Sequence, residues 1–474
     1  MRNARTSRSG LSSVVRLWVL CGVAVVVSVC LAADKPAGPP APASAPGPGS
    51  LVPGPSSSPA PGSPPGASSP LPVASSQPFD ANDPDVKLLV KGLNEFAIDV
   101  YKEIAKTEKG NILFSPFSVA SGVLMLYTAA TQQPAEEIAK VLHLPPELAK
   151  DDGKRLRATF RKLTAYLDDG NSRDGMPRGF QFTVANSLWI KKGATSDRAL
   201  LELDRAPYQT TLEEVDFGDV KAGAITSINT WMSARIGAGP TALLSPGAIP
   251  RQIRIVLANT GHFKGAWASP FDREKTIAAG FETTDGKEIG VPTMHKEAYL
   301  PYLERPGLKS IQMHFSGGHG YATVFLTDPN ADSNEFFSVL SGRHQGTHRG
   351  DYALTDVNVS MPMLRITRCH DLSQVLRNMG THKTSLNLGE KSGVAASAPE
   401  QPDAFVHGAV LGMNEQGIET ARPGPPKRSG RDLVFDHSKK AFQVLRPFAL
   451  SISEKKSGCI LMLARIVRPE SSGG

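Results

Sequence analysis

The stretch VHGAVLGMNEQG, from Val406 to Gly417, decides the fold of this chain. It begins with the apolar residues of a strand and ends in a polar turn. A polar segment broken by prolines follows, and then comes the apolar hairpin LRPFALSISEKKSGCILMLARIVRP. This order predicts a buried strand, a long exposed loop and a buried hairpin.

Helix and strand patterns are mixed along the chain without regular alternation. Asp83 and Pro84 predict the start of a helix with one apolar stripe, namely Leu89, Leu93, Phe96, Val100 and Ile104. A second, buried helix is predicted in 112–128, with Ser115 as its cap before Pro116. Other patterns predict strands at 180–190, 253–263 and 320–327, an extended segment at 357–366, helices at 225–235 and 371–379, and a hairpin of 448–453 with 459–467. The predicted fold class is therefore α+β.

The first 33 residues have the composition of a targeting segment. They carry four arginines, no acidic residue, and an apolar run over 17–31 that precedes two alanines. We predict a secretory signal peptide over residues 1–33. The alternative is an uncleaved signal anchor, because the apolar run is only slightly shorter than a spanning helix needs. The protein is therefore expected to be secreted, or tethered outside the cell by this segment.

Residues 34–78 consist almost entirely of proline, alanine, serine and glycine. Such a composition cannot bury enough apolar surface to fold, so we predict a disordered spacer. Extended as polyproline, the spacer would reach about 140 Å. The alternative interpretation is a disordered tail without a function. The predicted folded domain spans residues 79–470. Its two cysteines, Cys369 and Cys459, lie in apolar segments, and we predict no disulfide.

Several segments, in their order along the chain, resemble the serpin family over about residues 85–470. NILFSPFSVA (111–120) resembles the second serpin helix, FTVANSLWI (182–190) a central strand, and INTWMSARI (228–236) the helix that crosses the main sheet. VLANTGHFKGAWASPF (256–271) resembles the next central strand, and VNVSMPMLRITRCHDLSQVLRNMG (357–380) the strand and helix before the loop. The resemblance implies a serpin fold of mixed β-sheets with about nine helices and an exposed reactive loop.

The same resemblance implies the function of a serine protease inhibitor, without catalytic residues or a cofactor of its own. In serpins a protease cuts the reactive loop, which then inserts as a new strand into the central sheet. The residues that match the loop hinge are Glu415, Gln416, Gly417, Ile418, Thr420 and Ala421. Counting onward from them places the cut bond at Arg431–Asp432, which suits a trypsin-like protease. Because the loop is longer than is common, any bond within 431–436 is an alternative.

Insertion of this loop meets obstacles that the sequence shows directly. Strand alternation puts Ile418, Thr420 and Arg422 on the inward face, so that Arg422 would bury a guanidinium group. Three prolines would each remove a hydrogen-bond donor from a central strand, namely Pro423, Pro425 and Pro426. Two outcomes stay open: inhibition, which is the family default, and a non-inhibitory or substrate-like serpin that acts as a binding module.

In serpins a polar cluster beneath the main sheet controls its opening. The matching residues are Ser115, Ser118, Asn186 and His407. Because an unsatisfied buried polar group costs about 1 to 3 kcal/mol, each of them must find partners. A satisfied core histidine is the alternative interpretation of His407. Trp267 matches the point where the loop enters the sheet, and a packed core tryptophan is the alternative there.

Other classes of function receive less support. A basic cluster at 154–162 suggests a polyanionic polysaccharide, although a solvated helix face is the simpler interpretation. It has no interleaved aromatic residues, so no nucleic-acid partner is predicted. Ser453 with Lys456 and His344 with His348 are spaced like catalytic and metal-binding pairs, but both lack the companion motifs of such sites. We predict no enzyme activity and no metal site, and we expect a monomer.

Overall fold

The structure, a computed structural model, describes residues 79–129, 132–150, 153–168, 179–192, 208, 210–218, 223–237, 242–245, 248–249, 253, 255–328, 352–381, 404–419 and 438–470. The predicted signal peptide and spacer lie outside these residues. Within them, no helix combines the length and the apolar character needed to cross a membrane.

Seven α-helices occur in the described part of the chain, against about nine expected. They are α1 (Pro84–Thr107), α2 (Pro116–Ala129), α3 (Gln132–Val141), α4 (Pro146–Ala149), α5 (Lys154–Asp168), α6 (Ala224–Ile236) and α7 (Ser373–Met379). Asp83 caps α1 by accepting a hydrogen bond from the Asp85 N–H at 2.9 Å. Ser115 Oγ accepts from the Ser118 N–H at 3.3 Å and so caps α2. Both predicted helix starts are confirmed.

Fifteen strands are described. They are β1 (Ile112–Phe114), β2 (Phe180–Lys191), β3 (Thr210–Val215), β4 (Ile255–Ala266), β5 (Ile277–Glu282), β6 (Glu288–Arg305), β7 (Leu308–His314), β8 (Gly320–Thr327), β9 (Ala353–Pro362), β10 (Leu364–Asp371), β11 (Ala404–Asn414), β12 (Gly417–Ile418), β13 (Lys440–Gln443), β14 (Phe448–Glu454) and β15 (Ile460–Ile466). The predicted α+β class and the predicted hairpin, β14 with β15, are confirmed.

The strands form two sheets. One has the order β1-β15-β14-β8-β7-β6-β9-β13, with β5 also paired to β6. The other has the order β10-β11-β12-β4-β2-β3, and β11 and β4 pair with each other as well. β9 and β10 were predicted as one extended segment. They belong to different sheets because the chain crosses at Met363, just after Pro362, whose ring nitrogen has no hydrogen to donate.

Apolar side chains cover the six-stranded sheet on both faces. The main core joins one face of this sheet to the second sheet and to α1, α2 and α5. On the opposite face, Ile228 and Met232 of α6 pack against Val256, Ala258 and Val406. Helix α6 therefore lies over β4 and β11, the two strands between which a new strand would enter.

Candidate functional site

The first residues of the predicted hinge lie inside the six-stranded sheet. In β12, Ile418 pairs antiparallel with Met413 of β11 on one side and with Gly265 of β4 on the other. The Ile418 side chain is fully buried. The hinge therefore separates β11 from β4 at this end of the sheet.

Farther from the hinge, β11 and β4 pair directly with each other. Their pairing is parallel and joins 404–409 to 256–261. In the six-stranded sheet, β12 thus separates β11 from β4 at the hinge end, and the two strands pair directly beyond it. The remaining predicted hinge residues, Thr420 and Ala421, and the predicted cut bond Arg431–Asp432 lie outside the described residues, so their assignments stay predictions.

Backbone and side-chain hydrogen bonds hold the chain just before β12. The Thr276 hydroxyl donates to Glu415 Oε1 at 2.9 Å, and the backbone N–H of Trp267 donates to the Gln416 carbonyl at 2.8 Å. The Trp267 indole N–H donates to the Asn414 carbonyl at 3.1 Å, and the ring stacks on Phe315. Trp267 therefore contacts the chain just before β12 and is also buried in the main core. Its role as the point where the loop enters the sheet stays a prediction.

The structure brings the four residues of the predicted latch together beneath the sheet. All four are fully buried, namely Ser115, Ser118, Asn186 and His407. The Ser115 N–H donates to His407 Nε2 at 2.9 Å, and the Ser115 hydroxyl donates to the Leu461 carbonyl at 2.7 Å. The Ser118 hydroxyl donates to the Thr260 carbonyl at 2.7 Å. Their control of sheet opening stays a prediction.

Asn259 of β4, which the sequence analysis did not select, connects these residues. Its Oδ1 accepts from His407 Nδ1, and its Nδ2 donates to Asn186 Oδ1 at 2.7 Å and to the Ser118 carbonyl at 2.9 Å. Because His407 lies in β11 and Asn186 in β2, the side chains tie three neighbouring strands at one level. Separating β11 from β4 must break the hydrogen bond between His407 and Asn259.

This network requires an uncharged imidazole. Nε2 of His407 accepts a hydrogen bond from the Ser115 backbone N–H, so the proton of the neutral ring lies on Nδ1. Complete burial, with a smaller effect of His370, lowers the pKa of His407 to about 3. At neutral pH the network is therefore neutral and satisfied on both ring nitrogens.

Ion pairs neutralise part of the basic cluster on α5. Arg155 pairs with Asp85 of α1 through two hydrogen bonds of 2.6 Å, and Lys162 lies 3.3 Å from Asp83. Asp85 has a lowered pKa, mainly because it accepts from Arg155. Arg155 and Lys162 thus already have carboxylate partners, which favours the solvated-face interpretation.

Comparison with known proteins identifies the family. The model of the family described as Serpin (serine protease inhibitor) matches residues 91–469. The chain belongs to the serpin family. A serpin-like protein of Thermococcus kodakarensis is 27% identical over 392 residues, covering 81% of this serpin and 86% of that protein. The leukocyte elastase inhibitor of Bos taurus is 25% identical, with coverage of 79% and 97%. The human thyroxine-binding globulin structure, complexed with thyroxine, superposes with a TM-score of 0.70 at 24% identity, covering 81% and 100% of the two chains.

Three residues around the hinge of this serpin were missed by sequence reasoning. Asn259 follows the inward-facing Leu257 by two positions in an apolar strand, and this misplaced polar residue was a signal that could have been used. Glu419 was not selected because, among the residues after Gly417, only small or inward-facing apolar ones were expected to favour insertion. Arg365, its ion-pair partner, gave no signal, since only the sheet brings these two residues together.

Proposed function

We propose that this serpin is a secreted serine protease inhibitor whose loop is bait for a trypsin-like protease that cuts Arg431–Asp432. The observation that carries the proposal is the position of β12, which already separates β11 from β4. Insertion of further loop residues would lengthen β12. It would replace the direct pairing of β11 with β4 by two pairings, one between β11 and β12 and one between β12 and β4. Membership of a family whose members are mostly protease inhibitors supports the same function.

The register of β12 determines where each inserted residue would lie. Continuing the antiparallel pairing beyond Ile418 places Thr420 opposite Phe263 of β4, and Arg422 opposite Gly261. Phe263 and Gly261 face the main core, so the two loop residues would face it as well. Thr420 is small enough to follow Ile418 into the sheet, whereas Arg422 brings a charge to the core side.

The sheet is tightly packed at the level of Arg422. A Cβ atom placed on Gly261 would lie 2.2 Å from the Ser115 Cβ and 3.1 Å from the Ser118 Cβ. An inserted Arg422 therefore meets the start of α2 rather than open space. Burying its guanidinium there costs several kcal/mol unless a carboxylate pairs with it.

The opposite face is also tightly packed, one level farther on. Pro423 would lie opposite Gly408 of β11, where an added Cβ would come 2.6 Å from the Met232 Cε of α6. Proline also lacks the N–H that a central strand needs. These contacts favour a second candidate function, a substrate-like serpin whose loop is cut but inserts too slowly to trap the protease.

Incubation with a trypsin-like protease tests both candidates. The inhibitor proposal predicts a conjugate that survives SDS, and a released fragment that begins at Asp432. Nicked protein without a conjugate, and without a gain in thermal stability, would instead establish the substrate-like function. A loop that no member of a serine protease panel cuts would refute both candidates and leave a binding module.

Paired variants separate the effect of Arg422 from that of loop charge. Arg422→Ala is expected to raise the fraction of protease trapped, because it removes the charge at the level of Gly261. Arg428→Ala removes the same charge nearer the predicted cut and serves as the matched control. An equal change in both variants would show that the register argument is wrong.

Location and further partners complete the proposal. We place the protein outside the cell, secreted or tethered by residues 1–33, and N-terminal sequencing of the mature protein tests this placement. A monomer is proposed, which light scattering tests. We also propose weak binding of a polyanionic polysaccharide to the basic cluster of α5. The polysaccharide must compete with the carboxylates of Asp85 and Asp83 for Arg155 and Lys162. Elution from a heparin column below physiological salt would remove that partner.

A further inference from the structure

Glu419, directly after β12, has an unusual backbone conformation. Its φ is 51°, in the left-handed region that side-chain-bearing residues rarely adopt. The Glu419 N–H still donates to the Gly412 carbonyl of β11 at 2.8 Å. Glu419 is therefore the last described residue of this segment, and the sheet holds it by this hydrogen bond. An interaction of its side chain must offset the unfavourable backbone conformation.

Arg365 of β10 supplies that interaction. Its Nη1 donates to Glu419 Oε1 at 2.9 Å and to Oε2 at 2.7 Å. The side chains are 22% and 8% exposed, for Arg365 and Glu419 respectively, so the pair is largely removed from water. Charge-assisted hydrogen bonds of this kind are stronger than neutral ones, and leaving one partner buried alone is costly.

The strand between the two residues makes their contact possible. Arg365 lies opposite Gly412 in the pairing of β10 with β11, and Glu419 lies beside Gly412 on the other side. A Cβ on Gly412 would come 2.4 Å from Glu419 Oε1 and 3.1 Å from Arg365 Nη1. Because Gly412 has no side chain, the Arg365 side chain of β10 can reach Glu419 across β11.

The surroundings of the pair include α6 and β4. Arg365 Nη2 also contacts the carbonyl of Gly237, the residue that ends α6, at 3.4 Å. On β4, burial lowers the pKa of His262 despite the attraction of Glu419, so this ring is uncharged at neutral pH. In the described part of the chain, Arg365 is thus the cation that pairs with Glu419.

We propose that Arg365 is a positioning residue that keeps the hinge inside the sheet of the intact protein. Continuing β12 as a strand would leave Glu419 beside Gly412 with its side chain on the same face, so insertion does not require the pair to break. Withdrawal of the hinge does. The ion pair therefore keeps β12 in place as the first residues of the inserted strand, and insertion begins from them.

Limited proteolysis with thermolysin, which cuts before large apolar residues, tests the proposal without any trypsin-like target. The bond Gly417–Ile418 is protected while Ile418 is buried between two strands. Arg365→Gln and Glu419→Gln are each expected to speed cleavage at this bond about tenfold, since each removes charged hydrogen bonds. The double variant should add little to either single change.

Controls separate hinge withdrawal from general loosening. Cleavage before Leu433, in the same loop but beyond the hinge, should proceed at an unchanged rate in all variants. Arg377→Gln, which removes an exposed arginine of α7, should change neither rate. The emission of Trp267 should shift with hinge withdrawal, because its backbone N–H binds Gln416. Equal acceleration at both bonds, or no acceleration at Gly417–Ile418 in either single variant, would overturn the proposal.

Discussion

Acidification is expected to destabilise this serpin through His407. Burial lowers the pKa of His407 to about 3 in the folded protein, whereas a histidine in an unfolded chain titrates near 6.5. Between these values the unfolded chain binds a proton that the folded protein excludes. The stabilisation is therefore complete above about pH 6.5 and is lost as the pH falls toward 3.

The size of the effect follows from the width of that window. Each pH unit within it changes the free energy of unfolding by about 1.36 kcal/mol per proton. Lowering the pH from 7 to 5 should therefore cost about 2 kcal/mol from His407 alone. Protonation of Nε2 would also turn this nitrogen into a donor that faces the Ser115 N–H donor, so their hydrogen bond would be lost. Acid should accordingly weaken the contact between β11 and α2.

Urea unfolding at pH 7, 6 and 5 measures the effect when wild type is compared with His407→Gln, whose side chain forms hydrogen bonds but does not titrate. Burial also lowers the pKa of His262, His295 and His370, and Asp99 raises that of His143. His262, His295 and His143 are present in both proteins and cancel in the comparison, whereas the smaller effect of His370 on His407 is lost together with His407. If wild type and variant lost stability in parallel with falling pH, the reasoning about His407 would be refuted.

Three further predictions concern packing, the hinge entry and the thiols. Gly261→Ala should lower the free energy of unfolding by about 1 to 3 kcal/mol, because its Cβ would lie 2.2 Å from that of Ser115, whereas Gly290→Ala, with nothing within 4 Å, should change it little; equal urea midpoints would contradict this. Trp267→Phe removes the indole donor to a buried carbonyl and should cost about 1 to 3 kcal/mol in the same assay, so wild-type stability would show that bond to be dispensable. Burial raises the pKa of the Cys459 thiol and should prevent its alkylation by iodoacetamide at pH 8 in the native protein but not in urea; a native adduct seen by mass spectrometry would count against the burial.

Elements with a strong local pattern were predictable from the sequence. The start of α1 at Pro84 and the hairpin of β14 with β15 follow from caps and apolar runs that lie within a few residues of each other. β5, β6, β7 and β13 were not predicted, because strands of mixed burial have no clean alternation. The members of the polar cluster were found only through the serpin resemblance.

The sequence by itself determined the buried strand β11 and the hairpin of β14 with β15, which local apolar patterns encode. It also predicts the loop between them and the obstacles that Arg422 and the prolines place there. Only the tertiary structure decided that Ile418 already lies between β11 and β4, that Asn259 joins His407 to Asn186, and that Arg365 reaches Glu419 across Gly412. The physical reason is that these contacts connect residues far apart in the chain. Their distances depend on strand register, which the packing of whole sheets fixes and no local pattern encodes.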